Sequence, residues 1–519
     1  VSQRAGIGIN AGRIRGINSK IRGGEVQHTG VVPFLKKFEA TVRCCTQNGI
    51  RGGSATVHFP IWHQEIEDIL VLKNNKGTED NRVRKLDYSI QLSKIFYERF
   101  IQDSEITLFS PHDVPGLYDA FGTDTFDNLY TVYEKDTSIP KKTVKAQELI
   151  LSLLKERAET GRIYIMNIDH CNSHSSYKDQ ITMSNLCQEI TEPTTPIQHI
   201  DDDGPQEIAT CILSAINVGK VKSDDELEEL CNLSVRALEE IIDYQNYPVK
   251  AAENFTKRRR SLGIGYIGLA HYLAKLGFNY DSQGAWDAVH GLSESFQYYL
   301  LKASNQIAKE KGHCEYFGRT KYADGILPID TYKKDVDQVS SVGLQHDWEY
   351  LRASILEHGL RHSTLSAQMP SESSSVVSNA TNGIEPPRGY LSIKKSKKGP
   401  LKQIVPQYHT LKNNYTLLWN MPSNRGYIHI VAVMQKFFDQ AISGNWSYNP
   451  ENYADNEVPV SVMAQDMLTC FKLGHKTAYY QNTYDIKTDE VVDDQKQELK
   501  SLLNDIMKSD EEACESCTI

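Results

Sequence analysis

Short apolar runs alternate with amphipathic stretches along most of the chain. "IRGGSATVHFPIW" and "RIYIMNIDH", each bounded by Gly, Pro or Asn, have the pattern of strands. "EDILVLKNN", "AQELILSLLKERAET" and "SFQYYLLKASNQIAKEKG" place apolar residues at helical spacing. The alternation predicts βα units and a largely parallel sheet or barrel. "KSDDELEELCNLSVRALEEIIDY" reads as a pair of charged helices, and "YLSIKKSKKGPLKQ" as a basic connecting loop. From "TDEVVDDQKQ" onward the chain is acidic and expected to be mobile.

Length changes this picture first: 519 residues exceed one simple core, so two or more domains or one large α/β unit are expected. A net charge of −10 argues against nucleic acid or an anionic membrane as the main partner. No apolar run approaches the roughly 20 residues that span a bilayer, and no signal segment opens the chain. The ten cysteines form one C-x-x-C, Cys514 and Cys517, too few for a tetrahedral metal site. A reduced, cytoplasmic protein with mostly buried cysteines is expected.

Several stretches carry candidate chemistry. "GIGYIG" matches G-x-G-x-x-G at Gly263, Gly265 and Gly268, but the charged "NFTKRRRS" precedes it where a dinucleotide fold needs an apolar strand. A glycine-lined strand is favoured over an NAD-dependent dehydrogenase. E-x-x-H occurs at Glu25/His28 and Glu310/His313, in a Gly-rich loop and at a helix end, and no metal is expected there. In "TMSNLCQEIT" an extended chain would project Asn185, Cys187 and Glu189 from one side, placing an amide, a thiol and a carboxylate together. Cys211 follows on an expected strand. Each cysteine, taken alone, fits a buried structural role as well. In "MPSESSSVV", Pro370, Ser371, Glu372, Ser373 and Ser374 open an expected helix, a phosphate seat or a capped helix without a ligand. Tyr479 and Tyr480 are adjacent, suited to shared packing or to relaying an electron with a proton.

Together these stretches resemble the large (catalytic) subunit of class I ribonucleotide reductase of the bacterial type. The likeness runs in order from "SQRAGIGINAGRIRG" through "CCTQNGIRGGSAT", "LKNNKG", "LFSPHDVPGLYDAFG", "ERAETGRIYIMNIDHCNSHS", "SNLCQEI", "MPSESSSVVSNATNGIEPPRGY" and "KTAYYQNT" to the cysteine-ended tail. It implies a ten-stranded α/β barrel of two five-stranded halves around a finger loop. The expected divisions are 1–324 for the major part of the barrel, 325–395 for a small subdomain with the phosphate loop, 396–488 for the barrel end with the tyrosines, and 489–519 for a flexible redox tail. By resemblance, Cys187 becomes the thiyl radical that takes hydrogen from C3′ of a ribonucleoside diphosphate, Glu189 accepts the 3′-hydroxyl proton, and Asn185 binds substrate hydroxyls. Cys211 is one of two thiols that oxidise to a disulfide. Tyr479 and Tyr480 bring the radical in, and residues 370–374 hold the diphosphate. Arg15, Gln47 and Arg51 contact the effector or transmit its choice of base. Cys514 and Cys517 re-reduce the active-site disulfide and are themselves reduced by thioredoxin or glutaredoxin.

The resemblance implies no cofactor bound by this chain. The radical comes from a di-iron, tyrosyl-radical small subunit, the effectors are dNTP and ATP with magnesium, and the completed large subunit is expected to dimerise. The family's large subunit begins well before "SQRAGIGIN". A second polypeptide with the N-terminal portion, including the thiol partner of Cys211, is therefore expected, the alternative being a truncated chain. The chain alone is expected to reduce no nucleotide. The competing expectations are the dehydrogenase and an inactive barrel paralogue.

Overall fold

Four short segments become parallel neighbours: β1 (Ile7–Asn10), β2 (Ala55–Pro60), β3 (Asp87–Leu92) and β4 (Ile163–Asn167). Ile7 lies opposite Ala55, Thr56 opposite Asp87, and Tyr88 opposite Ile163. Every residue of β2, β3 and β4 is buried. A sheet covered on both faces buries its polar positions with the apolar ones, so Thr56, His58, Asp87, Ser89 and Gln91 all lie inside. This computed structural model describes residues 5–46, 52–200, 204–396 and 399–485. Gln47, Arg51, Cys514 and Cys517 lie outside the described residues.

A second parallel group begins with β5 (Ile212–Asn217) and β6 (Leu262–Ile267), Ile212 opposite Leu262. Parallel bridges from Ile264 to Ser366 and from Gln368 to Ile442 extend it. The two groups meet through β7 (Trp446–Tyr448), β8 (Thr477–Ala478) and β9 (Gln481–Thr483). β8 runs antiparallel to β4, while β9 runs parallel to β7. The strands thus follow one another from β1 round to β5. Among the described residues no strand pair joins those two edges, so the described strands do not by themselves close a barrel.

The helices that matter for the site are α1 (Ala146–Thr160), α2 (Asp224–Tyr244), α3 (Lys250–Arg259) and α4 (Gln283–Lys311). The stretch expected to be two charged helices is the single helix α2. Its buried residues Leu227, Cys231, Val235, Leu238 and Ile242 keep one unbroken stripe at helical spacing. Ser223 caps it by accepting from the Glu226 N–H, and Asp224, Asp225 and Glu226 suit the positive end of the helix. "EDILVL" is helical only over Ile66–Leu70. The basic stretch expected to be a loop is an antiparallel hairpin, Leu391–Ser396 with Gly399–Ile404. Leu391 is buried while Ser392 is exposed, the period-two signal of a strand.

The first five residues of "GIGYIG" lie on β6, every residue of which is buried, and Gly268 follows with φ +80° at the start of the helix Leu269–Leu276. A Cβ on Gly263 would sit 2.8 Å from Cys211 Sγ, and one on Gly265 would sit 2.6 Å from the Ala367 carbonyl. The glycines let neighbouring backbones approach, and a Cβ on Gly268 would lie 2.5 Å from Asn217 Oδ1, the packing role favoured over the dehydrogenase alternative. Glu310 is spent on a two-pronged pair with Arg236, both contacts 2.8 Å. His28 stacks on Phe34. No described helix is long and apolar enough to cross a membrane.

Candidate active site

The segment around Cys187 was expected to be extended; it is a turn. Gln188 takes the left-handed conformation with φ +72°, which an L side chain adopts only when its surroundings compensate. Here they do. The buried Gln188 amide accepts from Ser89 Oγ at 2.7 Å and lies 3.2 Å from His58 Nε2, while the Gln188 carbonyl accepts from Thr477 Oγ1 at 3.0 Å. Thr56 Oγ1 donates to the Leu186 carbonyl at 2.8 Å, and the Ala441 N–H donates to the Glu189 carbonyl at 2.9 Å. The loop is thus tied to β2, β3, β8 and the strand segment at 440–443. Gly8 on β1 makes room for it, since a Cβ there would lie 2.0 Å from the Ser184 carbonyl. Gly8→Ala is expected to cost about 1–3 kcal/mol through overpacking and to displace the loop. Denaturant unfolding and the alkylation rate of Cys187 check both effects.

The turn still gathers the three expected side chains. Asn185 Oδ1 accepts from the Ile190 N–H at 3.2 Å, bracing the loop from within. Ser443, which no sequence motif indicated, donates to Glu189 Oε2 at 3.1 Å and also to the Cys187 carbonyl. Burial pushes the Glu189 carboxyl up, while bonds from its own backbone, Asn185 and Ser443 pull it down. Burial, together with the Glu189 charge, pushes the Cys187 thiol up to about 12, against the phenol bond from Tyr479. At neutral pH Cys187 therefore stays S–H. A nucleophilic cysteine needs the opposite shift, so this thiol suits donation of a hydrogen atom.

Tyr479 Oη donates to Cys187 Sγ at 3.4 Å. Its ring lies 3.9 Å from that of Tyr480, at 36°. Tyr164 on β4 packs 4.7 Å from the Tyr479 ring and donates to Asp87 at 3.1 Å. Arg157 on α1, fully buried, donates to the Tyr479 carbonyl at 2.6 Å and to the Tyr480 carbonyl at 3.2 Å, which fixes the backbone carrying both rings. Arg162 lies 5.0 Å over the Tyr480 ring.

Cys211 lies immediately before β5, one residue short of the expected strand. Gln440 Nε2 donates to Cys211 Sγ at 3.6 Å, and Gln440 Oε1 accepts from the Thr191 N–H at 3.1 Å. One side chain therefore links the Cys187 loop to the second thiol. Ser371 precedes the short helix α5 (Glu372–Val377), as expected for a helix start, although its hydroxyl makes no capping bond. Ser371 is buried, and Pro370, Glu372, Ser373 and Ser374 are exposed. Arg15 donates to the Lys20 carbonyl at 2.8 Å and joins none of these bonds.

The family profile described as "Ribonucleotide reductase, barrel domain" matches residues 1–416 and 403–481. Over 490 residues the chain is 58% identical to a ribonucleoside-diphosphate reductase subunit alpha of Haemophilus influenzae, covering 93% of this chain and 65% of that protein. It is 54% identical over 490 residues to the Escherichia coli ribonucleoside-diphosphate reductase 1 subunit alpha, covering 93% and 64%. With the subunit alpha of Enterobacteria phage T4 it shares 46% over 495 residues, covering 93% and 65%. The chain spans just under two thirds of the length of these relatives.

Proposed function

We propose, from the premise that this chain belongs to the ribonucleotide reductase barrel family, that it carries the reacting groups for reducing ribonucleoside diphosphates to 2′-deoxyribonucleoside diphosphates. The observation that carries the reading is the unbroken path Tyr480–Tyr479–Cys187, rings 3.9 Å apart and phenol to sulfur 3.4 Å. In this reading the radical enters at Tyr480 from the small, di-iron subunit. Tyr480 and then Tyr479 are oxidised in turn, each phenol giving up its proton with the electron, and Cys187 gives its S–H hydrogen atom to the Tyr479 phenoxyl oxygen across the 3.4 Å contact, leaving the thiyl. The Cys187 thiyl takes hydrogen from C3′ of the substrate. Glu189, buried and braced by Ser443, accepts the 3′-hydroxyl proton. Asn185 orients substrate hydroxyls, the 2′-hydroxyl takes a proton from the Cys211 thiol pair and leaves as water, and Cys187 at the end gives the hydrogen atom back to C3′.

Two electrons come from Cys211 and a second thiol, which close to a disulfide. Cys514 and Cys517 reopen it, with thioredoxin or glutaredoxin as the final reductant. Pro370 to Ser374 seat the diphosphate, where the exposed start of α5 offers hydroxyls and backbone N–H groups. Arg15, Gln47 and Arg51 serve the dNTP or ATP effector with its magnesium. The same reading includes closure of the β1 and β5 edges into the family's ten-stranded barrel and dimerisation of the large subunit.

Ser443→Ala tests the base. Losing the hydroxyl removes a bond that holds the Glu189 carboxyl down. A bond to a charged group contributes about 1.5–3 kcal/mol, so the carboxyl rises by about 1–2 pH units. The acid limb of the pH–rate profile is expected to move up by that amount. The reading as a whole is tested by assaying CDP reduction. The chain is combined with the small subunit, the complementary third of a relative's subunit alpha and dithiothreitol. The expected product is dCDP, formed without NADH; an assembled complex that makes none contradicts the reading.

A further inference from the structure

Glu192 lies five residues after Cys187, and nothing above uses it. It is 2% exposed. One carboxyl oxygen, Oε1, takes the Ser261 hydroxyl. The other, Oε2, is buried with no hydrogen-bond partner, and the Cys211 thiol is among the groups that pull this carboxyl down. Gln440 gathers the two: its Nε2 donates to Cys211 Sγ at 3.6 Å and to the carbonyl of Leu262, the residue after Ser261, at 3.1 Å, and its Oε1 accepts from the N–H of Thr191, the residue before Glu192. A buried carboxylate oxygen left without a donor is costly, and the cost falls when the carboxyl takes a proton.

We propose that Glu192 is the general acid for the Cys211 sulfur when a dithiol reopens a disulfide at that position. The inference rests on the reductase reading, in which Cys211 cycles between thiol and disulfide. In the step, a thiolate of the dithiol attacks the other sulfur of the Cys211 disulfide. The S–S bond breaks, Cys211 leaves with the bonding pair, and the Glu192 carboxyl supplies its proton. The second sulfur of the dithiol then displaces the other protein sulfur, which takes a proton from solvent. The dithiol ends as a disulfide, and the protons it releases to solvent restore Glu192.

The physical need is clear. Burial and the Glu192 charge push the Cys211 thiol well above its usual value, and a high-pKa thiol is a slow leaving group. Burial also pushes the Glu192 carboxyl up to about 7, so it holds a proton near neutrality. The other charged or titratable groups acting on the pair are Arg259 on α3, Glu207 in the segment before β5, Tyr177, and Glu189. Arg259 is itself bound to Glu207 through contacts of 2.8 and 2.7 Å.

The test needs neither nucleotide nor small subunit. Cys211 is converted to its mixed disulfide with 2-hydroxyethyl disulfide, and release by dithiothreitol is followed by mass spectrometry of the Cys211 peptide at pH 5.5–9. Per dithiothreitol thiolate, the wild-type rate is expected to be flat below about pH 7 and to fall above it. Glu192→Gln is expected to be about 10²-fold slower at pH 6.5 and to show no break, and Glu192→Asp to restore the break. Ser261→Ala removes a bond that lowers the carboxyl, so the break is expected to move to higher pH. A Glu192→Gln chain that keeps the wild-type rate and break overturns the inference. A retained break beside failed dCDP formation instead overturns the reductase reading alone.

Discussion

Tyr479→Phe is expected to leave the fold standing while nucleotide reduction falls by more than about 10⁴-fold, a barrier increase of about 5.5 kcal/mol. The Tyr479 ring is 3% exposed and packs on Tyr164 and Tyr480, and phenylalanine keeps all of that contact. The substitution deletes one hydroxyl, whose partner is Cys187 Sγ. A neutral hydrogen bond contributes about 1 kcal/mol to stability, so Tm should barely move. Radical transfer depends on that O–H group entirely, because phenylalanine has no O–H to break. The same deletion removes the bond that lowers the Cys187 thiol, so the pH at which Cys187 becomes alkylatable should rise. Wild-type turnover by Tyr479→Phe would break the proposed path.

The largest expected loss of stability lies elsewhere, at Glu239 on α2. Its carboxylate, 1% exposed, accepts from Arg260 Nε at 2.7 Å and Arg361 Nε at 2.7 Å, and bonds His362 Nε2 at 3.0 Å. Glu239→Ala strands these groups in the interior, a change that typically costs about 3–5 kcal/mol. Burial alone would push the Glu239 carboxyl up; the bonds from His362, Arg260 and Arg361 overcome it and hold the group well below the usual carboxylate range. A depressed carboxyl contributes stability above its unfolded value, about 4.3, and loses it as pH falls through the folded value. The gap between wild type and Glu239→Ala in urea unfolding should therefore be constant above about pH 5 and narrow below about pH 4. A gap that does not change with pH would mean that the carboxylate charge is not what holds the cluster.

What was legible in the sequence was chemistry carried by near neighbours. Asn185, Cys187 and Glu189 fall within five positions, and Tyr479 and Tyr480 are adjacent, so the order of residues already implied their proximity. Their braces were not legible. Ser443 reaches Glu189 across 254 positions, and Arg157 reaches Tyr479 across 322, separations at which a single sequence carries no pairing signal. Local conformation failed where tertiary bonds override it. The Cys187 segment was expected to be extended, yet the Gln188 amide, bonded to Ser89 and close to His58, holds a left-handed turn. The stretch read as two charged helices is the single α2, because its buried stripe runs unbroken from Leu227 to Ile242. Glu192 was in plain view beside "CQEI", and only its burial against Cys211 gives it a use.

The central claim is that Cys187 is the hydrogen-abstracting group, reached through Tyr479. It is tested most directly by dCDP formation from CDP deuterated at C3′, comparing wild type with Cys187→Ser in the same assembly with the small subunit and the complementary segment. The account predicts dCDP from wild type at a rate slowed by the deuterium. From Cys187→Ser it predicts none, although that variant should assemble equally and keep its Tm. Steady dCDP formation by Cys187→Ser would contradict it.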